Sequence, residues 1–152
     1  YLIKDNNKIY FNKLIERFKK IKYFDLERVI FLDPLNRDNY INHLGTSSVL
    51  LDPLYFGAGN SFHESMVYGT PTVTMPTNFI KSRIVSAAYI QMEIENPPIV
   101  KNKNEYVELS IDIANSKNLL DMKKYYQNKA MEKLFNTVKA GKEFNQILLS
   151  LD

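Results

Sequence analysis

Along the chain, short β-rich apolar runs alternate with segments in which apolar residues recur at helical spacing. This pattern predicts alternating strands and helices. Apolar side chains recur at helical spacing from Lys8 to Lys20,. Further helices are predicted over 37–44, with Asn36 as its candidate cap, and over 62–68, 79–90, 104–113, 119–134 and 136–151,. Short β-rich apolar runs predict strands near residues 1–3, 28–32, 48–51 and 72–75,. This order predicts an α/β fold: a Rossmann-like parallel sheet with helices on both faces and a helical C-terminal end.

The segment from Ser47 to Pro76 holds a strand, a loop with two glycines, a short helix and a second strand. Such a segment predicts a βαβ crossover between parallel strands. Ligands of parallel sheets bind beyond the carboxyl ends of the strands, where the loop from Asp52 to Ser61 is expected. Gly57 and Gly59 are expected to permit positive φ and close approach of a ligand.

Two roles are open for the start of the predicted short helix. The unpaired N–H groups and partial positive charge at a helix N-terminus suit a diphosphate, and Glu64 could accept hydrogen bonds from two ribose hydroxyls. The sequence Ser61-Phe62-His63-Glu64 also fits a capping box, in which Ser61 caps the helix and Glu64 bonds back to the cap,. The residue types alone do not separate these roles.

Composition limits the class of protein. The 152 residues suffice for one domain, with 45% hydrophobic and 24% charged residues, as in ordinary globular proteins,. The chain has no cysteine, which excludes disulfides and thiolate chemistry,. Its two histidines, His43 and His63, do not have the spacing of a metal site, so no metal or cofactor is predicted,.

Charge and hydropathy predict neither a nucleic-acid partner nor a membrane partner. The net charge is +3, yet the segment 29–100, which holds the candidate loop, carries three Lys/Arg against six Asp/Glu,. No apolar run approaches the roughly twenty residues of a transmembrane helix, and the first residues do not resemble a signal peptide. We expect a cytoplasmic protein. Because Tyr1-Leu2-Ile3 already has the pattern of a strand, we expect 1–152 to be one domain taken from a longer protein.

Two longer segments of the sequence resemble a known family. FGAGNSFHE from Phe56 to Glu64, and GTPTVTMP from Gly69 to Pro76, resemble the donor-binding lobe of the O-linked N-acetylglucosamine transferase and SPINDLY-like glycosyltransferases. Shorter similarities lie at Ser82-Arg83, Asn104-Glu105-Tyr106 and Leu134-Phe135-Asn136-Thr137. The resemblance runs from about Arg28 to the end. It implies the second lobe of a two-lobed GT-B glycosyltransferase.

The resemblance implies roles for individual residues near the glycines. It implies that Gly59, Asn60 and Ser61 lie at the donor diphosphate and that Glu64 holds the ribose hydroxyls. Arg83 then either neutralises the diphosphate or pairs with an acid inside the lobe.

Upstream, the resemblance implies a uracil site. Leu35 and Arg37 fall where the family holds the uracil edge through a main-chain group and a basic side chain. Tyr40 falls where a ring stacks on the base, and its alternative is a half-buried residue of a helix.

Three residues depart from the family pattern. Ala58 replaces a usual glycine, Phe62 a threonine and His63 a tyrosine. The missing hydroxyl at Phe62 leaves the identity of the sugar open. His63 is predicted to pack rather than to act as a base, because on a helix its side chain points about 100° away from Glu64. The family's lysine and glutamine near the leaving phosphate precede Tyr1, so no catalytic residue is assigned.

The resemblance implies the UDP-sugar-binding lobe of an inverting, metal-independent glycosyltransferase that transfers N-acetylglucosamine from UDP-GlcNAc to protein Ser or Thr. Its partners are the UDP-sugar donor, the N-terminal lobe of the same protein, and a protein or peptide acceptor bound by that lobe and by helical repeats. This chain contains none of those regions, so alone it is expected to be inactive. Two alternatives are open: a nucleotide-sugar epimerase of similar architecture, and a non-catalytic scaffold that binds a partner through its apolar terminal helix.

Overall fold

The computed structural model describes residues 1–4 and 7–151, and the chain divides into two compact units. The first unit is Tyr1–Tyr40, and the second begins at Ile41. Four short strands lie in the described residues: β1 Leu2–Ile3, β2 Phe31–Leu32, β3 Leu50–Leu51 and β4 Thr72–Val73. The α-helices are α1 Lys8–Lys19, α2 Arg37–Thr46, α3 Asn60–Met66, α4 Ile84–Gln91, α5 Lys103–Ala114, α6 Leu119–Lys129 and α7 Thr137–Leu149.

In the first unit, β1 pairs in parallel with β2, and α1 packs on the pair through aromatic side chains. The ring of Phe31 in β2 lies 5.1 Å from that of Phe11 and 6.5 Å from that of Phe18. Phe18 also stacks on Phe24, which precedes the strand, at 4.7 Å. Strand β2 is shorter than predicted because a 3-10 turn, Leu26–Arg28, occupies the start of the predicted strand. No described residue of this unit is fully buried.

In the second unit, β3 and β4 pair in parallel, and α3 lies between them in sequence. The predicted parallel pairing across a helical crossover is therefore confirmed. On the other side of β4, the described residues include no full strand as a neighbour. The Tyr89 hydroxyl instead accepts from the Thr72 N–H at 2.8 Å and donates to the Thr72 carbonyl at 3.1 Å. Beyond it, Thr74 forms a parallel bridge with Ile99.

Two clusters of buried side chains form the core of the second unit. The larger is Phe62, Met66, Val85, Ala88, Tyr89, Met92, Ile94, Tyr126 and Ala130. The smaller is Val73, Val100 and Ile113. Phe62 and Met66 lie on α3, whose N-cap is Gly59. The helix that directly follows the candidate loop is therefore anchored in the core by these two buried side chains.

Beyond the shorter β2, the structure differs from the predicted architecture in the sheet and in two of the helices. The described strands form two separate two-stranded sheets rather than one continuous sheet. The predicted helix 79–90 is split into a 3-10 turn, Ile80–Ser82, and α4, because the Ser82 hydroxyl accepts from the Thr77 N–H and donates to the Phe79 carbonyl. The predicted helix 119–134 is α6 followed by a π-helical turn, Ala130–Leu134.

Candidate functional site

The candidate site is the loop of residues 52–59, which joins the carboxyl end of β3 to the start of α3. A second segment, the 3-10 turn after β4, lies beside this loop. The two are joined by a hydrogen bond of 2.8 Å from the Gly57 N–H to the Lys81 carbonyl. The loop therefore has the position that the sequence predicted, between a parallel strand and the following helix.

The two loop glycines differ in how closely their backbone is packed. Neither is among the described glycines with a positive φ, so the structure does not use the conformational freedom expected of them, and close approach of a ligand stays a prediction. A Cβ at Gly57 would lie 3.0 Å from the Lys81 carbonyl oxygen and 3.3 Å from Asp52 Oδ1, so close approach of protein atoms favours glycine there. A Cβ at Gly59 would lie 3.9 Å from Ile84 Cδ1, which is an ordinary contact.

Helix α3 begins at Asn60, with Gly59 at its N-cap and no side-chain hydrogen bond to the cap. Ser61 is the second residue of the helix rather than its cap, so the alternative capping box is not formed. The first turn has no acidic side chain. His63 Nδ1 lies 2.9 Å from the Gly59 carbonyl oxygen, and its ring packs edge-on against Phe62, in agreement with a packing role.

Two charged side chains near the loop have no charged partner in the part of the chain that the structure describes. Glu64 is half-buried on α3, and its carboxylate forms no hydrogen bond or ion pair with the described residues. Arg83 is exposed at the start of α4, and no described carboxylate pairs with it. The alternative of an ion pair for Arg83 is therefore not seen among these residues. Asn60 is exposed at the same end of α3.

The residue that organises the loop is Asp52, which the sequence reasoning missed. Its carboxylate accepts hydrogen bonds of 2.6 Å from the Ala58 N–H and from the Thr74 hydroxyl. Its carbonyl accepts a hydrogen bond of 2.9 Å from the hydroxyl of Tyr106. One sequence signal could have identified Asp52: it is an acid directly after an apolar strand, and a threonine lies at the end of the next predicted strand.

Burial also changes the ionisation of Tyr106. Desolvation, reinforced by the negative charge of Asp52, raises the pKa of the Tyr106 phenol to about 12,. The phenol therefore stays protonated, and continues to donate to the Asp52 carbonyl, even above pH 10, where an ordinary tyrosine ionises,.

The three predicted uracil-binding residues lie in the first unit. As expected, Asn36 caps α2, because its Oδ1 accepts a hydrogen bond of 2.9 Å from the Asn39 N–H. Arg37 is the first residue of α2 and is exposed, and Tyr40 is half-buried three residues later, on the same side of the helix,. Leu35 is half-buried just before the cap. Their role in base recognition stays a prediction.

A cavity of about 480 Å³ lies in another part of the second unit. It is lined by seven polar or charged residues and one alanine: Gln91, Glu93, Glu132, Lys133, Asn136, Lys139, Glu143 and Ala140. No predicted donor-site residue lines it. Among residues 1–4 and 7–151, no group of three or more acidic or histidine side chains could hold a metal ion. In the same residues, no helix has both the length and the hydropathy to cross a bilayer.

Comparison with known proteins gives a match of structure. The fold is similar to that of a mutant O-GlcNAc transferase from Thermobaculum terrenum, with a TM-score of 0.76 over 92% of this chain. The chain has a glycosyltransferase-like fold. The sequence identity is 14%, and the match spans 28% of the length of that protein. No family profile and no curated sequence matches this chain.

The glycosyltransferase-like fold agrees with the coarse part of the resemblance seen in the sequence. Both indicate a helix-rich α/β fold, which the structure builds with small parallel sheets. At this level of identity the match concerns the fold, so the substrate and the roles of individual residues belong to a proposal.

Proposed function

We propose that this chain is the donor-binding lobe of an inverting, metal-independent glycosyltransferase that transfers N-acetylglucosamine from UDP-GlcNAc to protein Ser or Thr. The observation that carries the proposal is the glycosyltransferase-like fold, which extends over 92% of the chain. The candidate loop follows the carboxyl end of a parallel strand, where α/β proteins of this kind bind ligands. A Rossmann-like sheet in the second lobe of a GT-B enzyme is part of the same proposal.

In this proposal, the diphosphate lies at the end of the loop, next to Gly59, Asn60 and Ser61. No acidic side chain occupies the first turn of α3, so the partial positive charge of the helix N-terminus is not neutralised there,. The exposed guanidinium of Arg83 adds a full positive charge on the adjoining segment. These groups stabilise the charge of the leaving diphosphate without a metal ion.

Glu64 binds the ribose. Its two carboxylate oxygens can accept hydrogen bonds from two neighbouring hydroxyls, and no described side chain competes for them. As the resemblance implies, Leu35 and Arg37 are proposed to hold the edge of the uracil, and Tyr40 to stack on the base.

The remainder of the enzyme lies in parts of the protein that this chain does not include. The N-terminal lobe supplies the catalytic residues and, with helical repeats, binds the protein acceptor. The chain alone is therefore inactive, and the whole protein works in the cytoplasm, without a nucleic acid or a membrane as partner.

Calorimetric titration of UDP into the full-length protein tests the ribose assignment. Glu64→Ala is expected to raise the Kd by about 10- to 100-fold, because two hydrogen bonds to a charged group are lost. Glu108→Ala, which removes an exposed carboxylate from α5, is the matched control and is expected to leave the Kd unchanged. Equal affinity in both variants would show that Glu64 does not bind the ribose.

A second candidate function is a non-catalytic scaffold. The observation that favours it is helix α7, because every described residue from Asn136 onward is exposed, including Phe144, Ile147 and Leu149. Contiguous exposed apolar side chains mark interaction surfaces. Failure of the full-length protein to bind UDP or a UDP-sugar would favour this function over the glycosyltransferase.

A further inference from the structure

Asp52 is a buried carboxylate, with 3% of its surface exposed. None of the described basic residues forms an ion pair with it. Moving a carboxylate out of water costs free energy unless hydrogen bonds replace those with water. Here each oxygen accepts one short hydrogen bond, from the Ala58 N–H and from the Thr74 hydroxyl, both at 2.6 Å.

These two hydrogen bonds join three separate parts of the second unit. Asp52 is the first residue of the candidate loop, Ala58 is near the end of the loop, and Thr74 directly follows β4. The carboxylate therefore ties the two ends of the loop together and fixes both to the end of β4. Charge-assisted hydrogen bonds of this length are stronger than neutral ones, so they can hold a loop without other secondary structure.

Two neighbouring contacts confine the same loop. The Tyr106 hydroxyl donates to the Asp52 carbonyl, and the Gly57 N–H donates to the Lys81 carbonyl. A Cβ at Gly57 would crowd both the Lys81 carbonyl oxygen and the Asp52 carboxylate. The loop is thus packed tightly around the carboxylate.

We propose that Asp52 is the positioning residue of the donor site. It fixes the backbone from Ala58 to Asn60 in the arrangement that receives the diphosphate of a nucleotide, and it does so without touching the nucleotide. This inference rests on the proposed function. A binding loop that is already ordered avoids an entropy cost when the ligand binds. The loss of the hydrogen bonds to the Asp52 carboxylate should therefore weaken binding.

Strand β4 and the residue after it supply a matched pair of variants. Thr72 and Thr74 are both fully buried and are two residues apart. The Thr74 hydroxyl donates to Asp52, whereas Thr72 Oγ1 has no hydrogen-bond partner among the residues that the structure describes. Thr74→Val therefore removes one of the two hydrogen bonds to the Asp52 carboxylate. Thr72→Val removes a hydroxyl that Asp52 does not use, and Thr74→Ser keeps the hydroxyl that donates to Asp52.

Hydrogen exchange of the full-length protein, measured by mass spectrometry without ligand, tests whether the hydrogen bonds of Asp52 keep the loop ordered. Thr74→Val is expected to increase exchange in residues 53–60, whereas Thr72→Val and Thr74→Ser are expected to exchange like the wild type. Unchanged exchange of this segment in Thr74→Val would overturn the proposal whether or not the protein binds UDP. If Thr74→Val does not fold, the isosteric Asp52→Asn replaces it with the same outcomes.

UDP titration of the same variants, well below their unfolding temperatures, tests the positioning role. The Kd of Thr74→Val is expected to rise about tenfold, while that of Thr72→Val stays at the wild-type value. Greater exchange with an unchanged Kd would overturn the positioning role and leave Asp52 as a stabilising residue only. A wild-type protein that does not bind UDP would overturn the proposed function and, with it, any positioning of a nucleotide.

Discussion

Gly69 has a φ of +65°, and a Cβ at this position would lie 1.9 Å from the carbonyl oxygen of Lys123. Residues other than glycine are strained at such a φ, and here the backbone of α6 also occupies the space of any side chain. Gly57 is confined by the Lys81 carbonyl and Asp52 in a similar but milder way. At the scale of single residues, the glycines thus set how closely segments of backbone approach.

Gly69→Ala is expected to destabilise the protein by at least about 2 kcal/mol, because it combines a strained φ with a backbone clash. Denaturant unfolding monitored by circular dichroism measures this change. The control is Gly141→Ala in α7, where a Cβ meets nothing within 4 Å. That variant is expected to be neutral or slightly stabilising, because alanine is favoured over glycine in helices by about 1 kcal/mol. Equal effects at the two positions would contradict the prediction.

At the scale of elements, α6 completes the C-terminal end of α2. Nζ of Lys123 donates hydrogen bonds of 2.7 Å to the Gly45 carbonyl and 2.6 Å to the Ser47 carbonyl. The last carbonyls of a helix have no partner within the helix, so a cation placed there satisfies them and interacts well with the helix dipole. This contact agrees with the extension of α2 to Thr46, beyond the predicted end at Leu44.

Lys123→Met is expected to destabilise the second unit by about 1–3 kcal/mol, because it leaves the two carbonyls without their donor. Lys124→Met changes the exposed neighbour on the same helix and is expected to cost less than about 0.5 kcal/mol,. Thermal unfolding of the two variants side by side measures the difference. Similar melting temperatures for both would show that the Lys123 contacts add nothing to stability.

At the scale of the whole molecule, the buried core lies in the second unit and includes several tyrosines. Burial raises the pKa of Tyr126 to about 12, that of Tyr106 to about 12, and that of Tyr89 even further. An unfolded tyrosine ionises near pH 10, so above this pH the unfolded chain has lost protons that the folded state still holds. Their stabilising contribution is complete below pH 10 and is lost as pH rises towards 12.

The free energy of unfolding is therefore expected to fall steeply between pH 10 and pH 12. Burial lowers the pKa of Lys123 from 10.5, which acts in the opposite sense and raises stability as pH approaches that value,. Denaturant midpoints measured at intervals from pH 8 to pH 12 report the combined effect of the tyrosines and Lys123 on the free energy of unfolding. Tyr126→Phe removes one of the shifted groups, so its stability is expected to fall less steeply, and a slope equal to that of the wild type would contradict the assignment.

The sequence predicted much of the local structure and part of the site. Helix α1, the cap at Asn36 and the parallel crossover around α3 follow from apolar periodicity, capping chemistry and strand-loop-helix order, all of which are local. Asp52 and Lys123 were missed because their partners lie far away in sequence: Thr74 and Tyr106 for the former, Gly45 and Ser47 for the latter. Whether Glu64 holds a ribose stays a prediction.

The sequence by itself determined the class of this protein. Its alternating apolar periods require an α/β arrangement, because each element must bury its apolar side against another, and its lack of cysteine excludes thiol chemistry. The tertiary structure alone decided which buried groups meet. Asp52 came to hold the candidate loop, and the Tyr89 hydroxyl took the place of a neighbouring strand beside Thr72, because hydrogen bonds between distant segments depend on the packing of the whole second unit.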